Sequence, residues 1–204
     1  MRLRYLALGD SYTIGEGVDP TDRWPRQLTA LLRAHGIDVG EPEIIATTGW
    51  TTGELAIALE DRDPEGPYDL VTLLVGVNDQ YRGHGVERYL SGFTALLARA
   101  VELAGAEAGR VVVVSIPDWG VSPLAADRDR DAIAREIDAF NSAARTEAQR
   151  HGAGWVDVTQ ASRAEGSAAA AYASDGLHPL AHAYRSWASL ILPAARAALG
   201  ARRQ

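Results

Sequence analysis

Two short stretches at opposite ends of this chain hold the residue types needed for covalent chemistry. Near the start, the apolar run Leu6-Ala7-Leu8 ends in Gly9-Asp10-Ser11-Tyr12. Near the end, Asp175-Gly176-Leu177-His178-Pro179 sets an acid three residues before an imidazole. A serine just past a strand can act as a nucleophile when a base reaches it. An imidazole becomes that base when a carboxylate holds one ring nitrogen and leaves the other to take the proton. Gly176 and Pro179 favour a shaped turn, in which Asp175 and His178 can share a side. Plainer readings exist for both stretches: Asp10-Ser11 as a turn or helix cap, and His178 as a surface or capping histidine beside a solvated Asp175.

Two further stretches hold groups able to stabilise developing negative charge. Asn78, in Gly76-Val77-Asn78-Asp79, has a side-chain amide that can donate to an oxyanion; it is equally a residue type common in turns. Gly49, in the polar loop Thr47 to Gly53, has no side chain to block approach to its N–H. Read plainly it is a turn glycine, and Gly53 lies in the same loop.

The elements that would position these groups follow from periodicity. Leu3 to Leu8, Glu43 to Ala46, Asp69 to Val75, Arg110 to Ile116 and Gly154 to Val158 read as strands. The third is apolar almost throughout, as expected for a strand covered on both faces. Trp24 to Ala34, about Thr52 to Leu59, Val86 to Val101, Asp127 to Arg150 and Leu180 to Leu199 show helical spacing, and Gly36 ends the first of these. Gly9 to Asp19 reads as a loop, and Ser162 to Ala173 as a loop or weak helix. Strict alternation predicts an α/β fold: a three-layer α/β/α domain with a flavodoxin-like five-stranded parallel sheet. Ser11, Gly49 and Asn78 follow the first three strands, whose carboxyl ends lie along one edge of such a sheet. Convergence of these loops is therefore the central expectation.

Composition narrows the class. The 204 residues are 47% hydrophobic and 23% charged, which suits one soluble domain, 1–204, with a sizeable core. There is no cysteine, so disulfides and thiolate metal sites are excluded. A net charge of -7 disfavours a nucleic-acid partner or an anionic membrane surface. All 20 basic residues are Arg, which carries no functional weight, and Arg202-Arg203 reads as a solvated tail. No run approaches the roughly 20 apolar residues of a membrane span, and no signal peptide precedes the first strand, so a cytoplasmic location without membrane insertion is expected.

Taken together, the four stretches resemble the blocks of the SGNH hydrolases, or GDSL esterases and lipases, in the expected order over nearly the whole chain. Gly9-Asp10-Ser11-Tyr12 is similar to the first block, where Leu is common in place of Tyr12. Gly49 is similar to the second block, Gly76-Val77-Asn78-Asp79 to the third and Asp175-Gly176-Leu177-His178-Pro179 to the last. The resemblance implies that Ser11 is the nucleophile, His178 the base and Asp175 its orienting acid. It further implies an oxyanion hole of the Ser11 and Gly49 amides with the Asn78 side chain. The implied activity is cleavage of small carboxylic esters through an acyl-enzyme, with no cofactor and no metal. Trp50, Tyr81 and Trp119 sit in loops expected to border the site, as candidates to line a substrate pocket or stack on sugar; packing of the loop bases is the alternative. With no long lid insertion visible, short acyl or aryl esters are favoured. Sugar acetylesters, lysophospholipids and thioesters would need the same residues.

Other classes fit less well. The pattern Gly-x-Ser-x-Gly is absent, because Thr13 stands where its second Gly would be. His178 and His182 are spaced for one helix face, but Pro179 replaces the Glu of the zincin motif. A non-catalytic, flavodoxin-like binding module finds no phosphate-cradling glycine motif to support it.

Overall fold

The computed structural model describes residues 2–200; the tail at Arg202-Arg203 lies outside them. The chain runs β1 (Tyr5–Gly9), α1 (Ser11–Ile14), α2 (Trp24–Ala34), β2 (Glu43–Ala46), α3 (Thr52–Arg62), β3 (Leu70–Leu74), α4 (Val77–Tyr81), α5 (Val86–Leu103), β4 (Val111–Val114), α6 (Arg130–His151), β5 (Gly154–Val156), α7 (Thr159–Glu165) and α8 (Ala181–Gly200). The five strands form one sheet, all parallel, in the order β2-β1-β3-β4-β5. Helix α2 packs against α8 on one face, while α3, α5 and α6 follow one another on the other. This is the expected three-layer α/β/α, flavodoxin-like arrangement.

The central strands explain why the sheet is the stable part. Leu6, Ala7, Leu8, Leu70, Val71, Leu73 and Val111 to Val113 are at most 1% exposed. Burying one Leu or Val contributes roughly 1.5–3 kcal/mol, so stability concentrates below the rim that carries the polar loops. Order reverses at β1, which pairs with both β2 and β3: Gly9 stands level with Ala46 and Leu74. Segments leaving these three strands therefore start side by side at a topological switch point, where open α/β sheets bind ligands.

Several boundaries differ from the expectation. β1 starts at Tyr5, and Leu3 makes only an isolated bridge to Val39. The segment after β1 holds the four-residue helix α1, too short for any periodicity to mark. α6 begins at Arg130 because the Asp129 side chain caps it, accepting from the Ala132 N–H at 2.9 Å. α7 starts at Thr159, earlier than the weak helix expected from Ser162, because Ser115 Oγ and Asp157 capture the Val158 and Thr159 amides and turn the chain out of β5. Among the described residues no helix is long and apolar enough to cross a membrane.

Candidate active site

The turn after β1 is tightly built. A Cβ on Gly9 would lie 2.4 Å from the Leu74 carbonyl oxygen, so only glycine lets β1 end against β3 here. Asp10 is fully buried and caps α1, its Oδ1 accepting from the Tyr12 N–H at 3.0 Å. Its Oδ2 has no hydrogen-bond partner. Burial, opposed by the Tyr12 amide and reinforced by the charge of Asp79, pushes the Asp10 carboxyl up to about 7. Ser11 follows as the first helical residue, 5% exposed. An amide at that position has no intrahelical acceptor, and among the described residues the Ser11 N–H donates to nothing.

Gly49 lies in a turn closed by the Trp50 N–H donating to Thr47 O at 3.3 Å. Its φ of +86° belongs to the region that favours glycine, and among the described residues its N–H also donates to nothing. Gly53 is instead part of α3. Asn78 projects from α4 and donates through Nδ2 to the Trp50 carbonyl at 2.9 Å. An Nδ2 group carries two hydrogens, so one holds the Gly49 loop and the other is left for a ligand. Asp79 does the same structural work one residue on. Buried, it accepts from the Thr52 N–H and hydroxyl, each at 2.9 Å, and ties the start of α3 to α4.

His178 sits at the tip of a loop folded back on itself. Tyr172 bridges Pro179, Ala173 N–H donates to His178 O at 2.8 Å, and Leu124 N–H donates to Gly176 O at 3.0 Å. Asp175 Oδ1 accepts the Leu177 and His178 amides at 2.8 and 3.0 Å, and its Oδ2 pairs with His178 Nδ1 at 2.6 Å. Burial raises the Asp175 carboxyl, but the His178 ring and the two amides outweigh it and hold the group below the usual carboxylate range. With Nδ1 engaged, Nε2 is the nitrogen free to accept a proton. No direct hydrogen bond joins Ser11 Oγ to this ring. The ring of Tyr12, the residue after Ser11, packs against the imidazole at 5.5 Å between centroids. Catalytic hydrogen bonds are often long before substrate binds and tighten in the complex. His182 turns the other way and faces Glu165 at 3.5 Å.

α1, α4, the Trp119 loop and the loop carrying Leu177 border a cavity of about 220 Å³; Gly49 and His178 are not among its lining residues. Ser11 and Asn78 form its polar end; Tyr12, Val77, Tyr81, Trp119, Leu124 and Leu177 form its apolar walls. The Tyr81 and Trp119 rings meet edge-on at 5.2 Å. Trp119 is locked by polar contacts: its Nε1–H donates to Gln80 Oε1 at 2.7 Å, and Gln80 Nε2 donates to Glu136 at 2.7 Å. The loop carrying Trp119 is clamped by Asp118, buried, which accepts from the Gly120 N–H and pairs with Arg163 at 2.8 Å. Trp50 does not line this cavity; its ring packs, partly buried, against the core, and its carbonyl receives Asn78. Tyr12, which departs from the common first block, is one of the walls; of the walls not named from sequence, Val77 and Leu177 each adjoin a candidate site residue, which could have flagged them. Leu124 adjoins none, and its place depends on the Gly176 contact made across the fold.

The cavity that Ser11 and Asn78 line thus lies at the switch point of a parallel sheet. A sequence profile of the GDSL-like lipase/acylhydrolase family matches residues 7–186, and the chain belongs to that family. No curated protein matches the chain by sequence. Solved structures share its fold. TesA is 21% identical with a TM-score of 0.76, over 96% of this chain and 99% of that one. The psychrotrophic esterase EstA from Pseudoalteromonas is 19% identical with a TM-score of 0.67, over 97% and 98%. A variant of an acetyl xylan esterase from Geobacillus stearothermophilus is 18% identical with a TM-score of 0.66, over 96% and 97%.

Proposed function

We propose that this chain is a serine esterase that cleaves carboxylic esters of short acyl or small aryl groups through an acyl-enzyme. The observation that carries the reading is that Ser11 and Asn78 line one apolar-walled cavity whose Tyr12 wall packs on the His178 ring, the imidazole whose Nδ1 is held by Asp175. In this mechanism Ser11 Oγ attacks the ester carbonyl while His178 Nε2 takes its proton. The tetrahedral oxyanion is met by the Ser11 and Gly49 amides and by Asn78 Nδ2. Collapse expels the alcohol, which leaves with the proton from His178. Water then attacks the acyl-serine by the same route and releases the acid.

Cavity size supports a small substrate: about 220 Å³ falls below the roughly 300–1,000 Å³ common for drug-sized ligands. Tyr81, 54% exposed at the rim, is also placed to stack on a sugar ring, which favours acetylated sugars as a second substrate class. The acetyl xylan esterase named above shares the fold. A panel of p-nitrophenyl esters of rising chain length, run beside acetylated sugars, tests both. Turnover should peak at short acyl chains, and a fluorophosphonate should label wild type but not Ser11→Ala. No turnover on any ester, together with no labelling of Ser11, would sink the reading.

A further inference from the structure

Gly49 must present a backbone N–H from the most permissive residue type in its loop, so groups outside the loop have to hold its peptide planes. Asn78 holds the Trp50 carbonyl at 2.9 Å. The Gly49 carbonyl itself is held by Arg82, whose Nη2 donates to it at 2.6 Å. We propose that Arg82 is a positioning residue: by fixing the Gly49–Trp50 peptide plane it holds in place the loop that presents the Gly49 N–H, carried on the preceding peptide plane, for oxyanion stabilisation. This rests on the reading of Gly49 as an oxyanion donor.

Arg82 caps the end of α4, and its own N–H donates to Asn78 O at 3.1 Å. The guanidinium therefore starts from the same short helix that carries Asn78. Its Nη1 reaches Glu54 at 3.2 Å. Glu54 in turn accepts the Thr51 N–H and hydroxyl, both at 2.8 Å. One planar group thus grips the loop at Gly49 and, through Glu54, at its exit into α3. A guanidinium can serve a carbonyl and a carboxylate at once because its donors are spread in a rigid fork; a lysine ammonium presents a single point. The side chain is 45% exposed and Glu54 is 41% exposed. Such pairs contribute little to stability, so truncation should register on chemistry rather than on folding.

The test compares wild type, Arg82→Ala and Arg82→Lys by steady-state kinetics on p-nitrophenyl acetate, by the rate of fluorophosphonate inactivation, and by thermal melting. Removing an oxyanion donor outright costs about 10²–10³ in rate; loosening one should cost less. Arg82→Ala should lower kcat about tenfold with KM within about twofold, and inactivation should slow in step. Melting should shift by no more than about 4 °C, since an exposed pair contributes little to stability, and Arg82→Lys should recover part of the rate. Unchanged kcat, a change confined to KM, or a loss of rate accompanied by a collapsed melting temperature would overturn the role. If wild type itself neither turns over nor labels, the esterase reading falls and takes this one with it. An active wild type with indifferent Arg82 variants removes only the role of Arg82.

Discussion

Two aspartates flank the chemistry from opposite ends of the chain, and their surroundings push them apart. Asp10 precedes Ser11, the proposed nucleophile, and is fully buried, with one carboxylate oxygen bonded to an amide and the other bonded to nothing. Asp175 lies on the base loop with its side chain 42% exposed, and both of its oxygens are engaged, by two amides and an imidazole. Burial raises the first carboxyl to about 7; hydrogen bonds hold the second below its ordinary range. The residue type is shared, so the environment assigns the work. A carboxylate proposed to orient an imidazolium has to stay ionised, and the loop carrying His178 supplies the donors for that. The nucleophile turn instead uses its aspartate as a cap, at a cost in buried charge.

Breaking that comparison starts with the group they both serve. Ser11→Ala should lower turnover of a short p-nitrophenyl ester by roughly three orders of magnitude or more, since members of such a row act as a unit. More than a few per cent residual activity would contradict the assignment. Asp175→Asn should come next, costing about 10²–10⁴ in kcat, because an amide can no longer hold the imidazole in the required tautomer. Asp10→Asn preserves an oxygen for the Tyr12 amide, so its kcat should stay within about fivefold of wild type. If the two aspartate variants lose activity equally, the division of labour is wrong. Asn78→Ala should cost about 10²–10³ in kcat with a smaller change in KM. Part of that loss would come from freeing the Trp50 carbonyl, so the melting temperature of Asn78→Ala, which reads the lost loop contact, is measured beside kcat.

The smallest effect is on stability, and its sign separates the two carboxyls. Asp10 has a folded pKa near 7 against an ordinary value near 4, so between those values the folded state binds more protons than the unfolded state. Its contribution to stability is therefore full at low pH and is lost as pH rises through that window. Asp10→Asn should raise the melting temperature by a few degrees at pH 8 and by much less at pH 4. For Asp175 the shift is downward, so its contribution is present at neutral pH and fades as pH falls through the acid range. Exposure of that side chain keeps the effect small. Melting curves of wild type and both variants across pH 4 to 8 check this directly; parallel curves would remove the contrast.

Much of the fold was legible before any coordinates. The five apolar runs became the five strands, and Trp24–Ala34 and Glu43–Ala46 match the expected limits of α2 and β2. Strong periodicity and Pro or Gly punctuation marked those elements. Ser11, Gly49 and Asn78 were legible because each stands just past a strand end, and Asp175 and His178 because their three-residue spacing survives inside one turn. What escaped is what no local pattern encodes. α1 is too brief to repeat, Asp129 rather than Asp127 caps α6 although either could have done so, and Trp50 packs against the core while Tyr81 and Trp119 line the cavity.

By itself, then, the order of residue types settled the architecture and the chemical vocabulary, because burial of alternating apolar segments leaves a parallel sheet few ways to close. Only the tertiary structure decided which groups share a space. Leu124 lines the same cavity as Ser11 from across the fold, Arg82 grips the Gly49 carbonyl from another element, and Asp10 is stranded without a second partner. The reason is one of range: propensity and periodicity act over a few residues, whereas desolvation and hydrogen-bond partnership depend on atoms that chain crossovers bring together from far apart.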